Sequence, residues 1–309
     1  MKKYLLLSLF TLSLLVSNSL LAQSPSDEIL MKKYELCVAV TYDLGEWNQY
    51  WEGTYLRGNE NIGVLTRNMV MPMVAAGITD KLNVLIATPY VKTKSTGGQL
   101  AGVEGFQDIS IALKYEILKK EIGKGKLALL GTAAFATPMS NYLSDYMPYS
   151  LGLGTNEITL RAIVHYQLDK GMYARVAGAH LWRGQTEVER DYYYNNGSYY
   201  STFMDVPNAW NYQATIGTWL FNYALRLEAN YTALKSTSGD DIRAYNAPQP
   251  TNKMEMTSVG FFAQYYFKKK IKGLGVLGYY NQVIDGRNIG KSTNLGIGAT
   301  YQFKVKNSQ

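Results

Sequence analysis

The chain has 309 residues, 47% of them hydrophobic, with 26 Tyr, 28 Gly, 8 Pro and one cysteine, and a formal charge of +7. The single cysteine, Cys37, excludes an internal disulfide and a cysteine-based metal cluster. The Lys and Arg residues are scattered or sit in short turns and form no nucleic-acid motif, so no nucleic-acid partner is expected.

The first 22 residues have the layout of a secretory signal peptide. Met1-Lys2-Lys3 is a basic start, Tyr4 to Leu21 is apolar with a few serines, and Ala22 before Gln23 is a small-residue cleavage site. No cysteine follows that site, which argues against a lipoprotein anchor. Beyond it no run of about 18 apolar residues occurs, so no later segment crosses a membrane as a helix. An exported chain that spans a bilayer without helices does so as a closed barrel, because lipid satisfies no unpaired backbone group.

Residues 23–47 read as an amino-terminal leader or plug, and residues 48–309 as the barrel. Within the first of these, Gln23 to Lys33 is polar, and Tyr34 to Trp51 admits two readings, the start of a strand or a folded plug. Candidate strands then follow at 48–57, 63–78, 82–93, 106–118, 126–138, 155–168, 172–184, 207–220, 222–235, 254–267, 273–284 and 292–304. This gives about twelve, the even number that closed bacterial barrels use.

Their side chains sort with a period of two, as a strand requires. Phe221, Tyr223, Leu225, Leu227, Ala229, Tyr231 and Ala233 alternate with Asn222, Ala224, Arg226, Glu228, Asn230, Thr232 and Leu234. Ile109, Ile111, Leu113, Tyr115 and Ile117 alternate with Asp108, Ser110, Ala112, Lys114 and Glu116, and residues 158–167, 258–267 and 294–303 repeat the pattern. Charges on one face and apolar groups on the other pack poorly as a dry core; they suit a wet interior and a lipid-facing exterior.

Connections alternate between short and long. Short turns fall at 79–81, 119–126, 169–171, near Phe221 and at 268–273; long stretches fall at 94–104, 140–154, 184–206, 236–253 and 285–291. Short inner turns and longer outer loops are the layout of an outer-membrane barrel. The fold class expected is therefore an all-β, transmembrane, antiparallel up-and-down barrel in the bacterial outer membrane. Outer-membrane lipid is then one partner, and the barrel-assembly machinery, reading Tyr301 and Phe303 in the last strand, is another.

The segment Gly105-Phe106-Gln107-Asp108-Ile109-Ser110-Ile111-Ala112-Leu113-Lys114-Tyr115 resembles the Gly-x-x-Asp strand signature of the outer-membrane family labelled "MetA-pathway of phenol degradation" or simply transporter. Gly77-Ile78-Thr79-Asp80-Lys81-Leu82, Ala87-Thr88-Pro89-Tyr90, Ala136-Thr137-Pro138-Met139 and the final Gly296 to Phe303 add to the resemblance, which covers about residues 70–304. Relatives often carry Pro-Thr-Gly where this chain has Pro138-Met139-Ser140. The motif residues are Gly105, Asp108 and Pro138. The family is similar to outer-membrane channels for fatty acids and toluene, and this implies passage of small hydrophobic or aromatic molecules.

Two groups of residues are the candidates for function. On the inward register lie Lys114, Glu116, Arg161, His165, Arg175, Arg226 and Glu228, which either line a conduction path and dock a plug or pair with one another to keep a narrow barrel rigid. In the loop from Asp191 to Asp205, the residues Tyr192, Tyr193, Tyr194, Tyr199, Tyr200 and Phe203 either capture a small apolar ligand at the mouth or form a hairpin around Asn195-Asn196-Gly197. Neither His165 nor His180 has a serine in a strained, glycine-flanked context near it in sequence, so a lipid hydrolase is a distant third reading and no enzyme is expected. No cofactor motif is present. The function expected is a passive channel for small hydrophobic molecules, with a closed structural or surface-interaction barrel as the rival.

Overall fold

The computed structural model describes residues 24–190, 193–194, 198–199, 201–242, 249–268 and 271–305; the expected signal peptide, residues 1–22, lies outside the described residues. Twelve antiparallel staves close into one barrel, with β1 paired to β2 on one side and to β12 on the other. They are β1 (Glu35–Trp47), β2 (Leu65–Gly77), β3 (Leu82–Ala87, then Tyr90–Ser95), β4 (Glu104–Phe106, then Asp108–Ile122), β5 (Gly125–Pro138) and β6 (Glu157–Leu168). The circle continues through β7 (Met172–Arg183), β8 (Ala209–Leu220), β9 (Leu225–Ser236), β10 (Glu255–Tyr266), β11 (Leu274–Arg287) and β12 (Thr293–Lys304). Among the described residues there is no helix.

Two expectations about strand limits are corrected. The first stave is Glu35–Trp47, whereas residues 49–58 form a small hairpin in the first long loop, Gln49–Glu52 against Tyr55–Gly58. Alternation was present in β1, with Val38, Val40 and Tyr42 outward, but its inward positions include Cys37 and Ala39. Small apolar groups on both faces hide a period of two.

The stretch from Phe221 is shorter as a strand than its alternation implies. Phe221, Asn222 and Tyr223 have left-handed backbone, with φ of 52°, 54° and 63°, and the Ala224 N–H donates to the Leu220 carbonyl at 3.0 Å to close the turn. Left-handed backbone is disfavoured for residues with a Cβ, so an aromatic–polar–aromatic order at a turn mimics a strand that begins only at Leu225.

The outer face carries the apolar residues. Ile111, Leu113, Ile158, Leu160, Val176, Ile216, Phe261 and Ile297 are between 46% and 68% exposed. Such a belt is costly in water and fits lipid. Aromatic residues gather near both ends, Tyr42, Trp182, Trp210 and Tyr212 towards the long loops and Tyr265, Phe267, Tyr301 and Phe303 towards the short turns. His180 belongs to the first group, its ring 4.3 Å from that of Trp182 and 4.5 Å from that of Trp210.

The short-turn end is lined with exposed lysines. Lys32 and Lys33 precede β1, and Lys81 lies in the turn to β3. Lys119, Lys120, Lys124 and Lys126 surround the β4–β5 turn, Lys170 sits between β6 and β7, Lys268 and Lys272 lie between β10 and β11, and Lys304 ends β12.

Two neighbouring staves, β3 and β4, are interrupted at one level of the wall. Pairing of β2 with β3 runs to Met73–Ala87, stops at Thr88-Pro89 and resumes at Val70–Tyr90. Pro72 stands opposite the gap, its carbonyl accepting from the Thr88 N–H at 3.3 Å, and Gln107 interrupts β4 beside it. A proline has no N–H to give a ladder and is confined to such places.

Candidate functional site

The lumen is closed at two levels by different means. Towards the short turns, residues 24–31 run inside the barrel, and residues 32–34 lead from them to β1. Ile29 and Met31 are 4% and 0% exposed and pack with Cys37, Ala75, Leu85, Ala112 and Trp219; Leu30 packs against Leu130, Ile163 and Ala177 on another part of the wall. Asn83 clamps the Met31 backbone at both groups, accepting from its N–H and donating to its carbonyl at 2.9 Å each. Gly77 faces this segment, and a Cβ there would run into the Lys32 carbonyl oxygen.

Charge fixes the tip of the segment. Lys114 Nζ, fully buried, donates to Asp27 Oδ1 at 2.6 Å and to the carbonyls of Ser24 and Ile29 at 2.8 and 3.0 Å. Arg175 reaches Glu28 Oε2 at 2.5 Å and Glu228 Oε1 at 3.0 Å. Arg226 binds Glu228 Oε1 at 2.5 Å and lies 3.7 Å from Glu28 Oε2, while its Nε donates to the Tyr173 hydroxyl at 3.0 Å. Three carboxylates thus meet three cations. Removing one member strands its partner in a place with little water, whereas the full set is satisfied.

Burial alone would raise the Glu28 carboxyl, but Arg226, Arg175 and His165 hold it down to about 2. His165 lies 3.7 Å from Glu28 Oε2 and 5.1 Å, ring to ring, from Tyr173. Arg175, Arg226 and the side chain of Gln167 are also beside it.

The other inward residues stand apart from this cluster. Arg161 donates to Asn211 Oδ1 at 3.1 Å, nearer the long loops. Glu116 sits at the short-turn end beside a register shift in the β4–β5 ladder and pairs with Lys119 at 3.8 Å.

At the opposite end the loop 139–156 folds into the mouth. Tyr149 and Leu151 are 0% and 3% exposed. The Tyr142 hydroxyl donates to Asp108 Oδ1 at 2.6 Å and accepts from the Gly154 N–H at 3.1 Å; burial, then the bond to Asp108, pushes this hydroxyl's pKa up. Arg67 donates to Gln107 Oε1 at 2.8 Å and to the Leu151 carbonyl at 3.2 Å. The motif residues converge here. Asp108 is paired in register with Pro138, a Cβ on Gly105 would come within 3.1 Å of Leu151, and the Ser140 hydroxyl donates to the Phe106 carbonyl.

Beneath this loop lies a cavity of about 540 Å³ whose walls include Asp43, Asp108, Glu157, Arg67 and Arg183, with Trp47, Leu151 and Met254 among its apolar lining. Arg183 is engaged with Glu157 at 2.8 Å. The chamber's lining mixes charged and polar side chains with apolar ones in similar number.

Of the aromatic loop, Tyr192 and Tyr200 lie outside the described residues. The backbones of Tyr193–Tyr194 and Ser198–Tyr199 pair as a two-residue hairpin, and Phe203, half exposed, belongs to a second short ladder against Gln185–Glu187. Sequence reasoning missed Asp27, Glu28, Asn83, Arg67 and Tyr142. One signal was available for the first two: of the inward residues that alternation singles out, Lys114, Arg161, Arg175 and Arg226 outnumber Glu116 and Glu228, and Asp27-Glu28 is the nearest acidic pair before the first strand.

Among solved structures the chain is similar to the COG4313 outer membrane channel from Pseudomonas putida F1, with 14% identity over 91% of this chain and 100% of that one and a TM-score of 0.70. The beta domain of the Bordetella autotransporter Brka (10% identity, 88% and 100% covered, TM-score 0.47) and the CymD monoaromatic hydrocarbon channel (9%, 90% and 90%, 0.45) are looser likenesses that carry no argument. No family model and no curated protein matches the chain. The fold is that of an outer-membrane β-barrel.

Proposed function

We propose that this protein is a bacterial outer-membrane channel held shut by residues 24–34. The observation that carries the reading is that this segment joins the wall only through Tyr34 and is otherwise held by side-chain contacts, chiefly to Lys114, Arg175 and Arg226. A closure bound by reversible contacts can be withdrawn, whereas a barrel filled by its own staves cannot. Lipid around the apolar belt and the assembly machinery at the stacked Tyr301 and Phe303 rings are the partners this reading implies.

The solute class follows from the route. Along the axis, Arg67 and Arg183 facing Asp43, Asp108 and Glu157 favour small solutes with a polar or charged end, apolar corners taking the rest. A second reading keeps the small hydrophobic and aromatic molecules that the family resemblance implies. It is favoured by the interruption at Pro72, Thr88-Pro89 and Gln107, beside which Met69, Met71 and Met73 occupy the inward register of β2, giving an apolar solute a way through the wall.

Planar-bilayer conductance of the refolded protein, beside a variant lacking residues 24–33, tests the channel. Conductance that rises on deletion supports it. Two silent barrels would leave the structural, closed-lumen reading. Liposome uptake of aromatic acids against the parent hydrocarbons then separates the two solute classes.

A further inference from the structure

We propose that the lysine ring at the short-turn end is a binding surface for the anionic phosphate headgroups of phospholipids in the leaflet it meets. The inference rests on the membrane-spanning reading and not on channel activity. Among the described residues, eleven exposed lysines of that end stand against three exposed carboxylates, Asp80, Glu121 and Asp169. The ion pairs there, Lys119–Glu116 and Lys126–Glu121, are long at 3.8 and 3.6 Å. At the long-loop end two pairs are shorter, Lys92–Glu104 at 2.6 Å and Lys235–Glu255 at 3.3 Å, while Lys253 lies 3.9 Å from the same Glu255.

The distribution argues for lipid over a protein partner. Lysines stand at four of the five short turns and at both ends of the β1–β12 seam, and into the fifth turn Lys268 reaches to donate to the Asn222 carbonyl. A docking protein would be met by a patch on one side; a complete ring is met by a leaflet. Exposed apolar groups share its level, with Ile122, Phe221 and Ile271 at 47%, 73% and 52%. Lysine stems can lie along such groups at the acyl boundary while the ammonium stays among the phosphates.

The test uses the folded barrel in detergent, checked by its heat-dependent shift on a gel. Native mass spectrometry reads the phosphatidylglycerol and phosphatidylcholine retained from an equimolar mixture. Wild type should retain the anionic lipid about tenfold over the zwitterionic one at low ionic strength, with the preference fading as salt is raised. Lys119→Gln/Lys120→Gln/Lys124→Gln/Lys126→Gln should lose most of that preference, and Lys92→Gln/Lys94→Gln/Lys235→Gln/Lys253→Gln should keep it. Should the first variant fail to fold, Lys170→Gln/Lys304→Gln on another arc carries the same expectation. Equal retention of both lipids by wild type, or a preference unchanged by the rim substitutions, overturns the inference. Binding of polyglutamate to the rim without any lipid preference overturns it in favour of an acidic macromolecule. A chain that enters bilayers of neither lipid overturns the membrane reading instead.

Discussion

The two closures of the lumen differ in how they are held. At the short-turn end a segment with a single covalent connection to the wall is gripped by the pairs Lys114–Asp27, Arg175–Glu28 and Arg226–Glu28 and by the apolar side chains of Ile29, Leu30 and Met31. At the mouth, a loop tied at both ends to β5 and β6 is held by hydrogen bonds, such as Tyr142 to Asp108 and Thr93 to the Tyr149 carbonyl, by Arg67 on the Leu151 carbonyl and by the Arg190–Asp145 ion pair. On the proposed reading, once residues 1–22 are cleaved away the segment leaves whole when its contacts break. A loop anchored twice only rearranges. The inner closure is thus suited to open and shut the lumen, and the outer one to shape what reaches it.

The largest effect expected from this difference is on conductance. Deleting residues 24–33 should convert a closed baseline into resolved open levels in planar bilayers, while deletion within 143–150 should alter solute preference without opening a protein whose inner segment is intact. If the loop deletion opens the channel and the segment deletion does not, the roles are reversed.

Next comes Arg226→Met, which leaves Glu228 with Arg175 and Tyr173 as its partners and weakens the hold on Glu28. Loss of one member of a buried charged set costs about 3–5 kcal/mol, read as a lowered urea midpoint of the folded barrel. The exchange Glu28→Arg with Arg175→Glu should recover part of the segment's protection from protease, which Glu28→Arg alone abolishes.

Gly77→Val tests packing without charge. Its side chain would displace the Lys32 carbonyl, at about 1–3 kcal/mol for overpacking, and limited proteolysis should release residues 24–33 sooner.

Acid should act through Glu28, whose docked value of about 2 lies below its ordinary 4.5. A depressed carboxyl stabilises the docked state above its free value and loses that contribution as pH falls towards its docked value. Open probability should therefore be flat from pH 8 to about 5 and rise below about 4.5, and Glu28→Gln should remove that dependence. The smallest change belongs to Tyr142→Phe, about 1–2 kcal/mol for one hydrogen bond to a charged group, visible as faster proteolysis at 139–156 with conductance unaltered.

Much of the barrel was legible because lipid outside and water inside impose opposite demands on successive residues. Ile158 to Gln167 and Val259 to Phe267 satisfy both demands plainly. Legibility failed where one demand was relaxed. β1 buries Cys37 and Ala39 against the inner segment instead of water, so its inward face is small and apolar. Phe221 to Tyr223 follow the strand rhythm only because an interfacial turn also wants aromatics. The site was half legible for a related reason: inward charges on strands announce themselves by register, as Arg175, Arg226 and Glu228 did. Their partners Asp27 and Glu28 sit in an irregular segment, where no periodicity marks a side chain's direction. The grip of Asp108 on Tyr142 spans residues far apart in sequence, and only the fold unites them.

The short connection between the inner segment and β1 has a kinetic meaning. A chain of eleven residues, 24–34, reaches at most about 36–40 Å when fully extended, so the withdrawn segment stays tethered at the mouth it left. Its return is unimolecular, driven by an effective concentration of order millimolar for a short flexible tether and independent of how many copies the membrane holds. Records from single molecules and from crowded membranes should then give the same closed-time distribution, and an added synthetic peptide of the same sequence should compete poorly with the tethered one.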